Sequence, residues 1–391
     1  MRYNFDKVID RSGTSAEKVE GLKHIWGRTD LIPLWVADMD FATAPFVTDA
    51  IRKRCENEVL GYTGKPDSYY NAIINWVKQR YDLIVTKEVI NFVPGIVPGI
   101  GMAMNCFTQK GDKVMIQPPV YHPFAWVTTR NERTLVTNPL KWENGMYRMD
   151  LDTFREQIKG CKLFILCNPH NPGGVVWTEA ELRAIADICY DEKVLVFSDE
   201  IHADLTLPPH THRPFATVSE KARMNSVTFM SPSKAFNMPG LSASHALIFN
   251  EDLRKRFRIY MDAGELDMGH VFAFLSVEAA YSHGTEWLDQ CLAYIQGNID
   301  FVDEFLKKHA PKIKAIRPEA SYLVWLDCRE LKLSQKDLNE FFVDKAHLAL
   351  NDGEMFGKEG IGFMRLNVAS PRCIIEKAMK QLADAYQLYI K

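Results

Sequence analysis

One lysine, Lys234, stands where a buried strand is expected to end. It follows the apolar run Val227–Met230, and Ser233 and Ser231 place small hydroxyls one and three residues before it. Open α/β sheets bind their ligands at the carboxyl ends of the strands. A lysine shielded from water beside anion-binding hydroxyls can form an imine with an aldehyde that carries a phosphate. Taken alone, the tetrapeptide favours an ordinary solvated lysine, because most lysines lie at the surface.

Two further strands are predicted upstream, and each is followed by a polar side chain. The run 193–198 leads to Asp199, whose carboxylate can keep a pyridine nitrogen protonated. The run Leu163–Cys167 leads to a turn of prolines and glycines, from which Asn171 can project its amide. Each residue alone is typical of a turn or a cap. An amide, a carboxylate and an amine at three successive strand ends indicate a site for pyridoxal phosphate.

The order of these motifs resembles that of a known enzyme family. Asn-Pro-x-Asn-Pro-x-Gly begins at Asn168, Ser-Asp-Glu-x-His at Ser198 and Ser-x-Ser-Lys at Ser231. The pattern resembles the fold-type I pyridoxal-phosphate enzymes of the aminotransferase class I/II group. Three stretches are similar to the cystathionine β-lyase (C–S lyase) branch: Asp-Glu-Ile-His at 199–202, Ser-Lys-Ala-Phe-Asn-Met-Pro-Gly at 233–240, and Trp-Val-Ala-Asp-Met-Asp-Phe at 35–41.

The resemblance implies a division of catalytic work among three residues. Lys234 would hold the cofactor as an imine and, once released by substrate, act as general base at Cα. Asp199 would pair with the ring nitrogen, and Asn171 would donate to the ring hydroxyl. Tyr121, which follows a predicted strand and a pair of prolines, would stack on the ring or lie at its edge and so fix its plane.

A substrate carboxylate is expected to meet Arg365. This arginine lies within the apolar stretch 363–367, and a buried guanidinium needs an anionic partner that fits its planar fork. Asn171 and Ala37 are expected to border the same substrate. An internal salt bridge is the alternative for Arg365.

The phosphate is expected to be anchored mainly by neutral groups. The backbone amides of Ile96 and Val97 precede an apolar helix over 100–107, where the helix dipole favours an anion. Ser231 and Ser233 add hydroxyls. Family resemblance implies that Tyr62 reaches the phosphate of a neighbouring subunit, which predicts a homodimer with shared active sites; a turn aromatic packed at an interface is the alternative.

Two positions depart from the aminotransferase pattern. Ser242 stands eight residues after the lysine, where those relatives commonly carry an arginine that neutralises the phosphate. His202 stands where the Asp-x-x-Tyr pattern supplies a phenol to the ring hydroxyl, and the lyase branch has histidine there. Both departures favour the lyase branch. A core histidine bonded to backbone is the alternative for His202.

Length and composition limit the number of domains, the partners and the compartment that we expect. A chain of 391 residues predicts two domains, and a net charge of −3 without any block of lysine and arginine excludes nucleic acid as a partner. The N-terminus lacks the apolar segment of a signal peptide and no apolar run approaches ~18 residues, so no membrane partner is expected and the cytoplasm is the expected compartment. The eight cysteines form no C-x-x-C pair, which favours reduced thiols over zinc or another metal.

The expected fold is α/β, with a mostly parallel central sheet, helices on both faces and a smaller α+β domain. A capping box at Thr178–Glu181 opens a helix between two of the strands, which makes a βαβ unit. The stretch 244–249 is predicted to be an antiparallel strand, and 285–309 a long helix. Residues 46–286 are assigned to the large domain, and residues 1–45 with 287–391 to the small one. The small domain is predicted to carry strands at 312–317, 321–327 and 361–368, and helices at 334–346 and 371–388.

The favoured reaction is α,β-elimination on a cysteine S-conjugate, with L-cystathionine as leading substrate and homocysteine, pyruvate and ammonia as products. The alternative is an aminotransferase of aromatic or neutral amino acids, which would use the same residues. A third interpretation, a cofactor-binding protein that mainly contacts a regulator, is disfavoured because Asn171, Asp199, Lys234 and Arg365 are all present.

Overall fold

The structure is a computed structural model that describes residues 2–389. Its α-helices are α1 Glu17–Trp26, α2 Pro45–Cys55, α3 Asp67–Tyr81, α4 Ile96–Phe107, α5 Pro123–Arg130, α6 Leu151–Gln157, α7 Glu179–Asp191, α8 Glu220–Met224, α9 Glu251–Ala263, α10 Val271–His283, α11 Thr285–His309, α12 Gln335–Glu340 and α13 Arg372–Tyr389. Its strands are β1 Ile32–Pro33, β2 Ile90–Val93, β3 Lys113–Ile116, β4 Thr134–Thr137, β5 Lys141–Glu143, β6 Met146–Arg148, β7 Cys161–Cys167, β8 Leu195–Asp199, β9 Ser226–Met230, β10 Ser244–Leu247, β11 Lys314–Ile316, β12 Leu323–Asp327, β13 Leu348–Ala349, β14 Asn351–Asp352 and β15 Phe363–Asn367.

A seven-stranded sheet forms the centre of the molecule, in the order β2-β10-β9-β8-β7-β3-β4. The five strands from β9 to β4 are parallel, and β10 runs antiparallel to both of its neighbours. Strands β2, β9 and β10 are buried along their whole length. The predicted mostly parallel sheet and the antiparallel return strand are both confirmed.

Helices cover both faces of this sheet because alternate side chains of its strands enter different cores. Phe229 of β9 packs with α4 and α9 on one face, whereas its neighbour Met230 packs with α3 and α10 on the other. Between β7 and β8 runs α7, which opens with the predicted capping box of Thr178 and Glu181. This crossover brings the carboxyl ends of β7, β8 and β9 to the same edge of the sheet.

The C-terminal part of the chain builds a four-stranded sheet in the order β11-β12-β15-β14, in which every pairing is antiparallel. Helix α11 runs from Thr285 to His309 as predicted and packs on α13. The helix predicted over 334–346 is shorter than expected, since α12 passes at Phe341 into a π-helical turn that ends at Lys345. The N-terminal β1 pairs in parallel with β13, so the first residues are joined to this C-terminal unit.

Within residues 2–389, no helix has the length and apolar character that crossing a membrane requires. Five of the eight cysteines are buried, and all eight are free thiols.

Candidate active site

A cavity of about 210 Å³ opens where three parallel strands end. The residues that follow β7, β8 and β9 form its walls, and the first turn of α4 closes one side. The predicted site residues on its wall are Ala37, Ile96, Val97, Tyr121, Asn171, Asp199, His202, Ser233 and Lys234. Positions that are distant in the sequence therefore converge on one space, as expected for a ligand site at the carboxyl edge of an open sheet.

The Lys234 amine is held at the cavity wall by a backbone carbonyl. Its Nζ donates to the Ala37 oxygen at 2.5 Å. Burial lowers the pKa of Lys234 to about 8, against the smaller raising effects of Asp38 and Asp199. A larger share of this amine is therefore neutral near pH 7 than in an exposed lysine, and only the neutral form can attack a carbonyl or accept a proton.

The Ala37 carbonyl is itself fixed by groups that the sequence analysis did not single out. The hydroxyl of Tyr322, a fully buried side chain at the start of β12, donates to it at 3.0 Å. Asn367 donates to the carbonyls of Val36 and Asp38, each at 2.7 Å, and so holds the main chain on both sides of Ala37. Nothing local in the sequence marks Tyr322, because its role depends on a contact across 285 positions.

Asn237, three residues after Lys234, also fixes the main chain close to Ala37. Its side-chain amide donates to the carbonyl oxygens of Met39 and Phe41, and its side-chain oxygen accepts the Met39 N–H at 3.0 Å. Asn237 adopts a left-handed backbone with φ of 53°. Asn237 lies inside the motif at 233–240 that carries the family resemblance, and this position was the sequence signal for its importance.

Asp199 ends β8 with its carboxylate at the cavity. One oxygen accepts the Ile201 N–H at 3.1 Å. Burial raises the pKa of Asp199 to about 7, with a further contribution from the negative charge of Glu200. A carboxylate in this state binds a proton or a cation more readily than a solvated one, which suits a partner for a protonated ring nitrogen.

Arg365 reaches the cavity through Asn171. The guanidinium donates to the side-chain oxygens of Asn171 at 3.0 Å and Asn351 at 2.6 Å and to the Trp35 carbonyl at 3.1 Å. Its Nε has no partner within residues 2–389. It lies 4.8 Å from the ring of Phe356. Burial lowers its pKa to about 10. No carboxylate among residues 2–389 forms an ion pair with Arg365, so the internal salt bridge considered above is absent from that part of the chain.

Neutral groups line the end of the cavity at α4. Ile96 and Val97 begin the helix, and no side chain caps their N–H groups. Gly95 precedes them with φ of 137°, a backbone conformation that favours glycine. Ser233 borders the cavity, but Ser231 lies behind it, where its hydroxyl donates to the Ala243 carbonyl at 2.8 Å and accepts the Ser233 N–H at 3.1 Å. The structure thus gives Ser231 a supporting place rather than one on the wall.

Two rings complete the wall. Burial lowers the pKa of His202 to about 3, and its Nδ1 has no hydrogen-bond partner within residues 2–389. The backbone hydrogen bond considered above for His202 is therefore not made through Nδ1 in that part of the chain. Tyr121 packs edge-on against Phe124, and burial raises its pKa. Ser242 also lines the cavity, at the place where an arginine was noted as missing.

Tyr62 lies outside this cavity. Its side chain is 97% exposed in a stretch without helix or strand between α2 and α3. Tyr62 does not line the cavity of its own chain.

Comparison with known proteins agrees with this geometry. A curated relative, cystathionine beta-lyase PatB of Bacillus subtilis (strain 168), is 38% identical over 384 residues, covering 98% of this chain and 99% of its own. Cystalysin from Treponema denticola, whose structure contains pyridoxal 5′-phosphate, matches with a TM-score of 0.96 at 33% identity over 100% of both chains. The pyridoxal-phosphate-bound C–S lyase of Staphylococcus hominis matches with a TM-score of 0.91 at 36% identity, covering 99% of this chain and 98% of its own.

These structures confirm the predicted fold of the fold-type I pyridoxal-phosphate enzymes and the resemblance to C–S lyases. The profile described as aminotransferase class I and II matches residues 29–382, which includes every site residue on the cavity wall. The chain belongs to the aminotransferase class I and II family.

Proposed function

We propose that this protein is a pyridoxal-phosphate-dependent carbon–sulfur β-lyase that cleaves L-cystathionine or related cysteine S-conjugates. The observation that carries the proposal is the convergence of the Lys234 amine and the Asp199 carboxylate on one cavity, with the Arg365 guanidinium bonded to Asn171 on its wall. The relatives named above as cystathionine beta-lyase and C–S lyase support the choice of reaction.

The donor set of the cavity fits pyridoxal phosphate. Lys234 offers an amine of lowered pKa to the aldehyde, and Asp199 offers a buried carboxylate to the ring nitrogen. The uncapped N–H groups of Ile96 and Val97, with the Ser233 hydroxyl, can receive a phosphate. His202, whose Nδ1 has no hydrogen-bond partner among residues 2–389, and Asn171 line the same wall.

Bound pyridoxal phosphate supplies an electron sink for the charge that develops at Cα of the substrate. Lys234 accepts the Cα proton, and Asp199 keeps the proton on the ring nitrogen. Arg365, with Asn171 and Ala37 beside it, binds the substrate carboxylate and thereby aims the Cα–H bond at the amine. The Cβ–S bond then breaks, and the thiolate leaves with the bonding electron pair. Hydrolysis of the remaining three-carbon fragment gives pyruvate and ammonia.

A second candidate, an aminotransferase of aromatic or neutral amino acids, is favoured by the name of the matched family. It would need the same residues and would differ only in where Lys234 delivers the proton. The absence of an arginine at Ser242 and the presence of His202 support the lyase, since both positions depart from the aminotransferase pattern.

The test is to incubate the holoenzyme with L-cystathionine and to follow pyruvate and free thiol with and without an added 2-oxo acid. A lyase releases both products continuously without the acceptor. L-alanine, which lacks a leaving group at Cβ, is the control substrate and should give no sustained pyruvate release. Turnover that stops after a single event per site until a 2-oxo acid is added would make the aminotransferase the correct assignment.

Arg365→Ala should raise KM for the amino acid by about 10- to 100-fold with a smaller effect on kcat, because charge-assisted hydrogen bonds of ~1.5–3 kcal/mol are lost. Arg365→Lys should recover little of this loss, since an ammonium cannot reproduce the planar fork. Steady-state kinetics check both variants. Arg329→Ala, which removes an arginine paired with Asp327 at the surface, is the control. An unchanged KM in Arg365→Ala would give the arginine a purely structural role.

We further propose a homodimer in which Tyr62 contacts the cofactor phosphate of the neighbouring subunit. Exposed apolar side chains close to Tyr62 support the homodimer, since Val59 is 72% and Leu60 58% exposed.

The domain division proposed is residues 46–286 and residues 1–45 with 287–391, in keeping with the two main sheets. The cytoplasm is the proposed compartment, in keeping with the free thiols.

Tyr62→Phe should speed the loss of cofactor on dilution, because one hydrogen bond to the phosphate is removed. Absorbance of the retained cofactor after gel filtration measures this, and Tyr190→Phe, another exposed tyrosine, is the control. Mixed dimers of Tyr62→Phe and Lys234→Ala subunits should regain one wild-type site. If dimers form and no site regains wild-type retention, Tyr62 does not act on its partner's phosphate.

A further inference from the structure

A second carboxylate, that of Glu200, follows Asp199 directly in the chain. Glu200 is 1% exposed and accepts three hydrogen bonds. Ser198 Oγ and the Phe215 N–H donate to one of its oxygens, each at 2.8 Å, and His212 Nε2 lies 2.8 Å from the other. Hydrogen-bond donors on both oxygens stabilise the charged form of a buried carboxylate.

The surroundings of His212 identify it as a neutral donor. Its side chain is 1% exposed, and its Nδ1 has no partner among the described residues. A doubly protonated ring would bury an unsatisfied N–H at Nδ1, which is costly. The tautomer that donates to Glu200 and leaves no unpaired N–H at Nδ1 carries its proton on Nε2. The pair therefore keeps the full negative charge of Glu200.

Further titratable groups lie next to His212. The Tyr81 ring packs edge-on against His212, and the Tyr81 hydroxyl donates to Asp204, which also accepts from Trp76 Nε1 at 3.0 Å. No lysine or arginine of residues 2–389 forms an ion pair with Glu200. The Glu200 charge acts on its neighbour: burial and that charge raise the pKa of Asp199, whereas the Ile201 N–H and the positive charge of Lys234 lower it.

We propose that Glu200 is a positioning residue for the cofactor, which uses its buried charge to keep the proton shared between Asp199 and the ring nitrogen. His212 and the Phe215 N–H fix Glu200 in place for this task. The inference rests on the proposed pairing of Asp199 with the ring nitrogen. Glu200, buried just after β8 ends, would add a second negative charge that stabilises the protonated ring through space.

The experiment is ¹⁵N NMR of the holoenzyme loaded with pyridoxal phosphate labelled at the ring nitrogen, titrated between about pH 6 and pH 9. Glu200→Gln keeps side-chain size and removes the charge. In this variant the midpoint for loss of the ring proton should fall by about one pH unit, a tenfold weaker hold on the proton. His212→Gln keeps an N–H donor and the glutamate charge, so its midpoint should stay at the wild-type value although its Tm falls.

Asp204→Asn is the matched control, because it removes another buried carboxylate four residues away that bonds Tyr81 and Trp76 instead. Its midpoint should equal that of the wild type. Equal midpoints in Glu200→Gln and the wild type would overturn the inference. If Glu200→Gln does not fold, His212→Gln supplies the test, because the Glu200 charge is intact in that variant. A midpoint in His212→Gln as low as that in Asp199→Asn would overturn the inference. A ring signal unaffected by Asp199→Asn would instead show that the assignment of Asp199 is wrong.

Discussion

Lys234→Ala is expected to abolish both the covalent attachment of pyridoxal phosphate and turnover of L-cystathionine. One residue supplies the imine and the base, so its removal deletes two functions at once. The loss in kcat should be on the order of 10⁴-fold or more, the upper range for a positioned proton-transfer group. Borohydride reduction followed by mass spectrometry measures the covalent link, and pyruvate release measures turnover.

The geometry around Lys234 makes this prediction specific. Within the described residues its amine donates to one acceptor, the Ala37 carbonyl, and that carbonyl is also held by Tyr322. An alanine leaves this acceptor in place and removes the amine with its alkyl chain from the cavity wall, so the fold should be kept. Lys110→Ala, at a surface lysine that pairs with Glu132, is the control and should behave as the wild type. Reducible attachment of the cofactor in Lys234→Ala would move the imine to another lysine.

The sequence predicted the parts of the fold that local signals determine. The capping box at Thr178 begins α7 at the expected residue, and α11 has its predicted bounds, because both helices carry an apolar face at helical spacing. Helix α12 was overestimated, since its apolar periodicity continues through Phe341 although the backbone there changes to a π-helical turn. Helix propensity indicates which residues favour a helix, whereas tertiary packing determines where the backbone changes from an α-helix to a π-helical turn.

Within the site, motifs placed the strand-end residues but not the groups that orient them. Asn171, Asp199 and Lys234 were identifiable because each follows a strand with its own turn signal. Asn351 and Tyr322 were not, because each acts through a contact with a residue far along the chain. Ser231 shows the converse: its spacing suggested an anion ligand, and only the structure shows its hydroxyl bonded to Ala243.

Asp199→Ala is the variant expected to have the second-largest effect. Removing a preorganised charge from the reacting system costs on the order of 10²–10³-fold in kcat, and weaker cofactor binding should accompany it. The reason is electrostatic: without a carboxylate at the end of β8, the ring nitrogen loses its proton near neutral pH, and a neutral pyridine accepts electron density poorly. Stopped-flow kinetics at saturating cofactor separates the lower kcat from the weaker binding.

Comparison with Asp199→Asn separates charge from shape. Asparagine keeps the length of the side chain and can still accept the Ile201 N–H, which in the wild type reaches the Asp199 carboxylate at 3.1 Å. It cannot stabilise a positive ring, so its kcat should fall nearly as far as that of Asp199→Ala, while its Tm should stay closer to the wild type. Wild-type turnover in Asp199→Asn would show that the Asp199 carboxylate serves only to accept the Ile201 N–H and has no role in catalysis. Wild-type turnover in both variants would remove Asp199 from the mechanism, and the proton on the ring would then have to come from another group on the cavity wall.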